Sequence, residues 1–184
     1  GYIQVRKIRG VNVGFTGVWD GSEDQYYEDM ALDNIEALKS EGAQIIVVMI
    51  CWESREESVP NDSQILMAHT LIDAGADLIV GVQPDVLRGV ERYHGKYIAY
   101  SLGTFMTCAP EPAATDSLIL QQTFTVVDGV CQENAELELI PCSVSGSEDN
   151  DLCPVVLEGD GARRVLDLIY DRSGILDGGI DPGD

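Results

Sequence analysis

Polar and acidic side chains follow three apolar segments of this 184-residue chain, directly after Phe15, Ile50 and Val80. Binding and catalytic groups of open α/β sheets lie in the loops at the carboxyl ends of the strands. If the three segments are neighbouring parallel strands, their polar groups therefore meet at one rim. The residues concerned are Thr16, Trp19, Asp20, Glu23 and Asp24; Cys51, Trp52, Glu53, Arg55, Glu56 and Glu57; and Gly81, Val82, Gln83, Pro84 and Asp85.

The segments that position this rim alternate between strand and helix patterns. Residues 43–52 are apolar on both faces and rich in Ile and Val, which is typical of a central parallel strand covered on both sides. Helical spacing of apolar residues precedes this segment over 27–38 and follows it over 65–72. The order strand, helix, strand, helix, strand across residues 10–81 predicts an α/β fold.

After Pro84 the pattern changes to short strands. Strands are predicted at 86–93, 96–101, 117–127 and 130–140, with hairpin turns at 93–96 and 127–130 and a closing helix at 161–172. Residues 176–184 are rich in Gly and Asp, so we expect them to form a flexible tail after one domain that spans residues 1–175.

The composition limits the classes of partner. The chain has 11 basic and 32 acidic side chains, a formal charge of −21, which would repel nucleic acid and anionic lipid. No apolar run approaches the roughly 20 residues that span a bilayer, and no signal segment is recognisable. The five cysteines include no C-x-x-C pair, so we expect free and mostly buried thiols, with one bridge, Cys142–Cys153, left open.

An ungapped series of motifs runs from Cys51 to Phe105. It consists of Cys51-Trp52, Pro60, Gln64, Ala68-His69, residues 71–77 (LIDAGAD), residues 81–87 (GVQPDVL), Glu91 and residues 98–105 (IAYSLGTF). This series resembles the second half of the CapA-type family of poly-gamma-glutamate capsule synthesis proteins. The family pattern is H-W-G-x-E, P, Q, L-I-D-A-G-A-D, G-H-H-P-H and Y-S-L-G-N-F.

The resemblance implies the C-terminal part of a domain of the calcineurin-like metallophosphatase kind. The expected fold class is α/β, a partial two-sheet α/β sandwich with divalent metal at the strand ends. The resemblance also implies a role in making or exporting a surface polymer at the extracellular face of the cell envelope. The implied partners are an anionic polymer or its precursor, capsule-synthesis membrane proteins, and an N-terminal half or a second copy that completes the fold.

The positions that carry metal ligands in the family pattern hold other residues here. The H-W-G-x-E motif has Cys51 for His, Glu53 for Gly and Arg55 for Glu; the G-H-H-P-H motif has Val82, Gln83 and Asp85 for its histidines; and Thr104 replaces the Asn of Y-S-L-G-N-F. Imidazole is the usual ligand for a catalytic divalent ion, whereas a valine side chain has no atom that can coordinate a metal and a thiolate prefers soft metals. Arg55 adds a fixed positive charge that opposes a dication. We therefore expect neither a metal nor another cofactor in this chain.

Three functions remain open at this point. The leading one is a capsule-polymer biosynthesis protein with a degenerate metal site, acting as a binding or accessory component. The alternative is a metal-dependent phosphoesterase-like hydrolase completed by an N-terminal half, and the third is an unrelated acidic α/β binding domain. Whether the chain is an enzyme stays open, and no catalytic residue is assigned. The candidate ligand-binding residues are Cys51, Trp52, Glu53, Arg55, Gln83, Asp85 and Thr104.

Other arrangements of the same side chains are also open. Arg55 and Arg88 could clamp an anion through bidentate hydrogen bonds, or pair with nearby glutamates. Four carboxylates near the rim could instead form an oxygen-only cation site, namely Glu53, Glu56, Glu57 and Asp85. His69 lies within a helix and is expected to be a packed structural histidine.

Overall fold

The computed structural model describes residues 2–20, 25–53, 57–107, 115–133, 136–147 and 150–183. The elements up to residue 99 follow the strand and helix order expected from the sequence, whereas the predicted strands at 117–127 and 130–140 are each divided into two, and a short strand at 155–156 was not predicted. The elements are β1 (Tyr2–Ile8), β2 (Val11–Trp19), α1 (Gln25–Ser40), β3 (Ile45–Cys51), α2 (Asp62–Asp73), β4 (Leu78–Val82), β5 (Val90–Tyr93), β6 (Lys96–Ala99), β7 (Asp116–Thr123), β8 (Val126–Val127), β9 (Val130–Cys131), β10 (Glu136–Ser143), β11 (Val155–Val156) and α3 (Gly159–Ser173).

The main sheet has the strand order β1-β2-β3-β4-β6-β5. Strands β2, β3, β4 and β6 are parallel, while β1 and β5 pair antiparallel at the two edges. The predicted parallel α/β arrangement is therefore confirmed. The pairing of Trp19 with Cys51, and of Cys51 with Val82, brings the ends of β2, β3 and β4 to one rim.

Helices α1 and α2 cover one face of this sheet. Alternate residues of β3, including Val48 and Ile50, are fully buried in the core that these helices share with the sheet. Asn34 of α1 donates a hydrogen bond to the Thr16 hydroxyl of β2 over 3.0 Å. Among the described helices, none has the length and apolar character needed to cross a bilayer.

The opposite face is covered only in part. A second sheet of order β11-β10-β7, together with α3, packs on β4 and β6, where Tyr97 and Ala99 meet Leu118 and Val165 in a second core. Near the carboxyl ends of β2 and β3 the described residues leave this face exposed, and Met49 is 47% exposed although it lies in a central strand. Val47, earlier in β3, packs against the second core. The fold is thus a mixed α/β architecture in which two sheets pack as a partial sandwich, with β8 and β9 forming a separate two-stranded sheet.

The segment after α3 differs from the expectation of a flexible tail that begins at residue 176. Leu176 and Ile180 are buried, and Ile180 N donates a hydrogen bond to Val90 O over 3.1 Å. The segment is therefore packed against the domain up to Ile180. The prediction of a tail relied on the high content of glycine and aspartate in this segment. It gave too little weight to Leu176 and Ile180, the two apolar residues that hold the segment in place.

The cysteines differ from expectation in their burial. Cys51, Cys131, Cys142 and Cys153 are free thiols, and of these four only Cys142 is buried, whereas Cys153 is exposed. The disulfide bridge between Cys142 and Cys153, which the sequence left open, is therefore not formed. Cys108 lies outside the described residues.

The two predicted hairpin turns are confirmed. His94 and Gly95 both have positive φ between β5 and β6, and Asp128 and Gly129 do so between β8 and β9. Two consecutive residues of positive φ match the right-handed twist of the flanking strands.

Gly81 provides the first test of this packing. A Cβ atom at Gly81 in β4 would meet the Tyr100 carbonyl oxygen and the Trp52 Nε1 atom, whereas one at Gly17 in β2 lies 3.8 Å from the nearest atom, Met49 O. Gly81→Ala should lower the free energy of unfolding by about 3 kcal/mol, and Gly17→Ala, the matched control, should change it little. Urea unfolding of both variants measures this, and equal effects would contradict the packing at Gly81.

Candidate functional site

The ends of β3 and β4 are joined by a side-chain contact. The Cys51 thiol donates to Gln83 Oε1, with 2.6 Å between the heavy atoms. Backbone bonds fix the same two ends, since Trp52 N donates to Val82 O over 3.1 Å and Asp20 N donates to Cys51 O over 2.9 Å. The rim predicted from the sequence therefore exists, and Cys51 and Gln83 lie in contact on it.

Gln83 has an unusual backbone conformation. Its φ of 86° lies in the left-handed region, which residues other than glycine seldom adopt. Such a conformation costs roughly 1–3 kcal/mol and persists only where the surrounding structure imposes it. Gln83 directly follows β4 and precedes Pro84, so the strained residue lies at the point where the chain turns away from the rim.

The loop after Gln83 is tied to the loop after β6. Thr104 Oγ1 donates to Asp85 Oδ1 over 3.1 Å, and Ser101 Oγ donates to Pro84 O over 3.2 Å. Two of the candidate ligand-binding residues, Asp85 and Thr104, are thus brought together, and both are half-buried. The Asp85 carboxylate accepts a hydrogen bond that partly satisfies it.

Trp52 has a different place from the one expected of a ligand contact. Its side chain is fully buried, its indole N–H donates to Tyr100 O over 2.9 Å, and its ring stacks on that of Tyr100. A ligand that enters from solvent cannot touch it. Trp52 therefore shapes the rim indirectly, by holding the end of β3 against the segment after β6.

Arg88 is also placed differently from the expectation of an exposed anion clamp or a surface ion pair. It is fully buried, with Nη1 donating to Gln64 Oε1 over 3.1 Å and Nε donating to Glu57 O over 2.9 Å. Burial lowers the pKa of Arg88, while the charges of Glu57 and Asp20 raise it. The guanidinium is thus engaged inside the protein beneath the rim.

Gln64 belongs to the motif series from Cys51 to Phe105, but it was not among the candidate site residues. It is the third residue of α2 and forms a capping box with Asn61, in which Gln64 N donates to Asn61 Oδ1 over 2.9 Å. Its Nε2 faces Asp20 Oδ2 at 3.5 Å, so one side chain links the start of α2, Arg88 and the end of β2. The N-D-S-Q run at residues 61–64 is a capping signal that could have identified it.

Asp20 is a rim carboxylate whose ionisation the surroundings affect. Burial raises the pKa of Asp20 and the charge of Glu53 raises it further, while the hydrogen bond from Gln64 and the charge of Arg88 lower it. The net direction is upward. An ionised Asp20 at neutral pH therefore carries a small free-energy penalty in the folded protein.

A second buried network supports the rim from below. Glu91 is 2% exposed; its Oε1 lies 2.8 Å from His69 Nε2, and its Oε2 accepts from the Tyr100 hydroxyl over 2.8 Å. His69 stacks on Tyr93 with 3.8 Å between ring centroids. This placement fits the packed structural histidine that was expected.

The donors at the strand ends do not fit a divalent metal. The thiol of Cys51 and the side-chain amide of Gln83 are hydrogen-bonded to each other, and buried Arg88 adds positive charge close to Asp20. Among the described residues, no three His, Cys, Asp or Glu side chains come together in a group able to hold a metal ion. Glu53 is exposed, and the rim candidates outside the described residues are Glu23, Asp24, Arg55 and Glu56.

These features define a mixed α/β domain whose parallel strands end in a shared polar rim. Residues 5–108 match the model of the family described as "Bacterial capsule synthesis protein PGA_cap". The match covers more than half of the chain, and the chain belongs to this family.

Curated relatives agree with this membership. The chain is 42% identical over 79 residues to the PGA biosynthesis protein CapA of Bacillus subtilis, covering 43% of this chain and 21% of that protein. It is 30% identical over 132 residues to the capsule biosynthesis protein CapA of Bacillus anthracis, covering 65% of this chain and 32% of that protein. The chain thus spans about a fifth to a third of the length of these relatives.

A solved structure shows a weaker likeness. It is that of a hypothetical protein from Thermus thermophilus, with a TM-score of 0.46 and 14% identity over 77% of this chain and 61% of that one. This degree of similarity is too low to inform function.

Replacing Arg88 tests the network beneath the rim. Arg88→Leu should lower the free energy of unfolding by about 3 kcal/mol, because Gln64 Oε1 and Glu57 O lose a buried charged donor. Arg163→Leu on α3 is the matched control, since that side chain is 75% exposed. Urea unfolding compares the two, and a loss no larger than that of the control would contradict the buried role.

Replacing Asp20 tests the direction of its pKa shift. A carboxyl whose pKa is raised in the folded state destabilises the fold as pH rises through that pKa, because the folded state binds more protons than the unfolded state. Asp20→Asn should therefore raise the free energy of unfolding at pH 7 relative to the native protein, and the gain should shrink as the pH falls to about 4, near the usual pKa of a carboxyl. Urea unfolding across this range measures the gain. The exposed Asp171→Asn controls for general charge, and a gain that grows as pH falls would contradict the shift.

Proposed function

We propose that this protein acts in capsule or surface-polymer biosynthesis as a binding or accessory component whose metal site is degenerate. Family membership and the names of the Bacillus relatives support the biosynthetic context. The contact that carries the accessory role is the bond between Cys51 and Gln83, which occupies the two strand ends where the family pattern has histidines.

The ligand would be held by the side chains of the rim. Trp52 supports them from the core, and Arg55 would join them in the loop after β3. The remaining contacts proposed are Cys51, Glu53, Gln83, Asp85 and Thr104. Oxygen acceptors dominate this set, so the rim suits an uncharged or cationic group of a precursor better than a carboxylate.

The wider setting follows from the same proposal. The protein would work at the extracellular face of the cell envelope, beside the membrane proteins of capsule synthesis. The open face of β2 and β3, with Met49 and Trp19 exposed, would be covered by an N-terminal half or by a second copy. A large exposed apolar surface commonly marks such an interface.

Titration with Mn²⁺ of the full-length protein, which carries the residues N-terminal to this chain, separates this role from that of a metal-dependent hydrolase. We expect no saturable heat in calorimetry for the native protein or for the double variant Cys51→Ala with Gln83→Ala, since neither offers a set of hard ligands. Stoichiometric binding by the native protein that the double variant loses would contradict the degenerate site and favour the hydrolase.

Polymer output in cells gives the second measurement. In cells that lack the gene, we expect the native protein to restore the surface polymer, and the double variant to restore less of it, because Cys51 and Gln83 are proposed ligand contacts. Full restoration by the double variant would overturn these two contacts. Failure of the native protein to restore polymer would overturn the biosynthetic function itself.

A further inference from the structure

A cavity of about 380 Å³ lies between α2 and the segment that follows α3. Its volume is within the range of roughly 300–1,000 Å³ that small-molecule sites occupy. The cavity lies beside β5, which is at the opposite edge of the main sheet from β1, and its lining includes none of the described candidate residues of the rim. It is therefore separate from the rim.

One wall of the cavity is a single face of α2. It is formed by Asp62, Ile65, Leu66 and His69, which are positions i, i+3, i+4 and i+7 of the helix. At a rise of about 1.5 Å per residue, the first and last of these positions are about 10 Å apart along the helix axis. The wall thus runs from a carboxylate, through two apolar side chains, to an imidazole.

A buried carboxylate lies against this imidazole. Glu91 is 2% exposed and contributes to the lining; its Oε1 lies 2.8 Å from His69 Nε2, and its Oε2 accepts from the Tyr100 hydroxyl over 2.8 Å. Within the described part of the chain, no Lys or Arg forms an ion pair with Glu91. Because buried carboxylates are usually paired with a cation, this end of the cavity attracts a positively charged group.

The opposite wall combines the same types of side chain. Residues 175–176 (Ile-Leu) are apolar, and Asp177 follows them. The chain passes close to Glu91 here, since a Cβ atom built at Gly178 would lie 3.4 Å from Glu91 Cγ. Asp62 and Asp177 are exposed, and neither forms an ion pair with another described residue. Carboxylates therefore occur at both ends of a cavity whose middle is apolar.

We propose that this cavity binds a linear diamine, a dication whose two ammonium groups are joined by a short hydrocarbon chain. One ammonium group pairs with Glu91 and Asp177, the other pairs with Asp62, and the methylene groups pack between Leu66 and Ile175. A chain of five methylene groups, with a charge-assisted hydrogen bond of about 2.8 Å at each end, fits the length of the α2 face. The inference goes beyond the proposed function and does not rest on it.

A metal ion and a monoamine fit these features less well. A metal ion makes no use of the apolar walls, and no group of three metal-ligating side chains occurs among the described residues. A monoamine, such as the lysine side chain of another protein, satisfies the carboxylates at one end only. The separation of the carboxylates by apolar side chains favours a molecule that is charged at both ends.

Calorimetric titration of the full-length protein with 1,5-diaminopentane tests the proposal. Salt at about 0.15 M screens the diffuse attraction of a dication to an acidic protein, and we expect saturable binding of one diamine per chain. The site variant carries Asp62→Asn and Asp177→Asn, and the control carries Asp167→Asn and Asp171→Asn on α3, so both lose two exposed carboxylates. We expect about tenfold weaker binding for the site variant and less than about twofold for the control. Equal losses in the two variants, or no saturable binding by the native protein, would overturn the site.

Replacing Glu91 tests the buried end of the cavity. Glu91→Gln keeps the shape of the side chain and removes its charge, so we expect diamine binding to weaken at least about tenfold. A folded variant that binds the diamine as the native protein does would overturn the contact with Glu91. If this variant does not fold, the exposed pair Asp62→Asn with Asp177→Asn decides the proposal.

Two other amines test the apolar walls and the second charge. 1,3-Diaminopropane keeps both charges but has two fewer methylene groups to bury, and it should bind about fivefold more weakly. 1-Aminopentane lacks the second charge and should also bind about fivefold more weakly. Equal binding of the shorter diamine would overturn the role of the apolar walls, and equal binding of the monoamine would overturn the pairing at two ends.

These results are separable from those on the proposed function. The variants leave Cys51 and Gln83 unchanged, and the titrations use no Mn²⁺. A native protein that does not bind the diamine would overturn the cavity as its site, whatever the Mn²⁺ titration and the polymer output show.

Discussion

The close approach of three strand ends over Gly81 is the constraint on which the rest of this structure depends. Because Gly81 has no side chain, the Trp52 indole reaches across β4 to donate to the Tyr100 carbonyl. That bond joins the ends of β3 and β6 with β4 between them. The Tyr100 hydroxyl then holds buried Glu91, which is bonded to His69 of α2. These contacts fix the sheet and α2 together, and this packing determines the positions of the strand ends that form the rim.

Charge is distributed in a way that separates two surfaces. The rim carries Asp20, Glu53 and Asp85, and the nearby cation, Arg88, is buried against Gln64 and a backbone carbonyl. A buried guanidinium neutralises part of the rim without being offered to a ligand. The exposed cations Arg6, Lys7 and Arg9 of the β1–β2 hairpin lie toward the other end of β2, within residues 1–19, which contain no Asp or Glu. The charged residues near the two ends of β2 therefore differ in sign.

The sequence was sufficient for the features that depend on local patterns. The apolar run at residues 43–52 identified a parallel strand, and the turns at 93–96 and 127–130 follow from pairs of residues that tolerate positive φ. It was insufficient where long-range packing decides. Arg88 looked like a surface cation because nothing adjacent in the sequence shows that Gln64 and Glu57 enclose it. Ile180 looked like part of a tail because its partner, Val90 of β5, lies far away in the sequence.

The same distinction explains how the family pattern can persist while the residues at its rim positions change. Trp52, Gly81, Glu91 and Tyr100, which carry much of the resemblance, are buried residues in contact with one another. Their arrangement needs no metal. The described positions that differ from the pattern lie on the rim, where a side chain can change without disturbing the core. At two of them, Cys51 and Gln83, the side chains form a hydrogen bond with each other. Similarity in the buried residues therefore indicates the same fold. The function of the rim must be inferred from the side chains that lie on it. The proposed accessory role rests on these side chains.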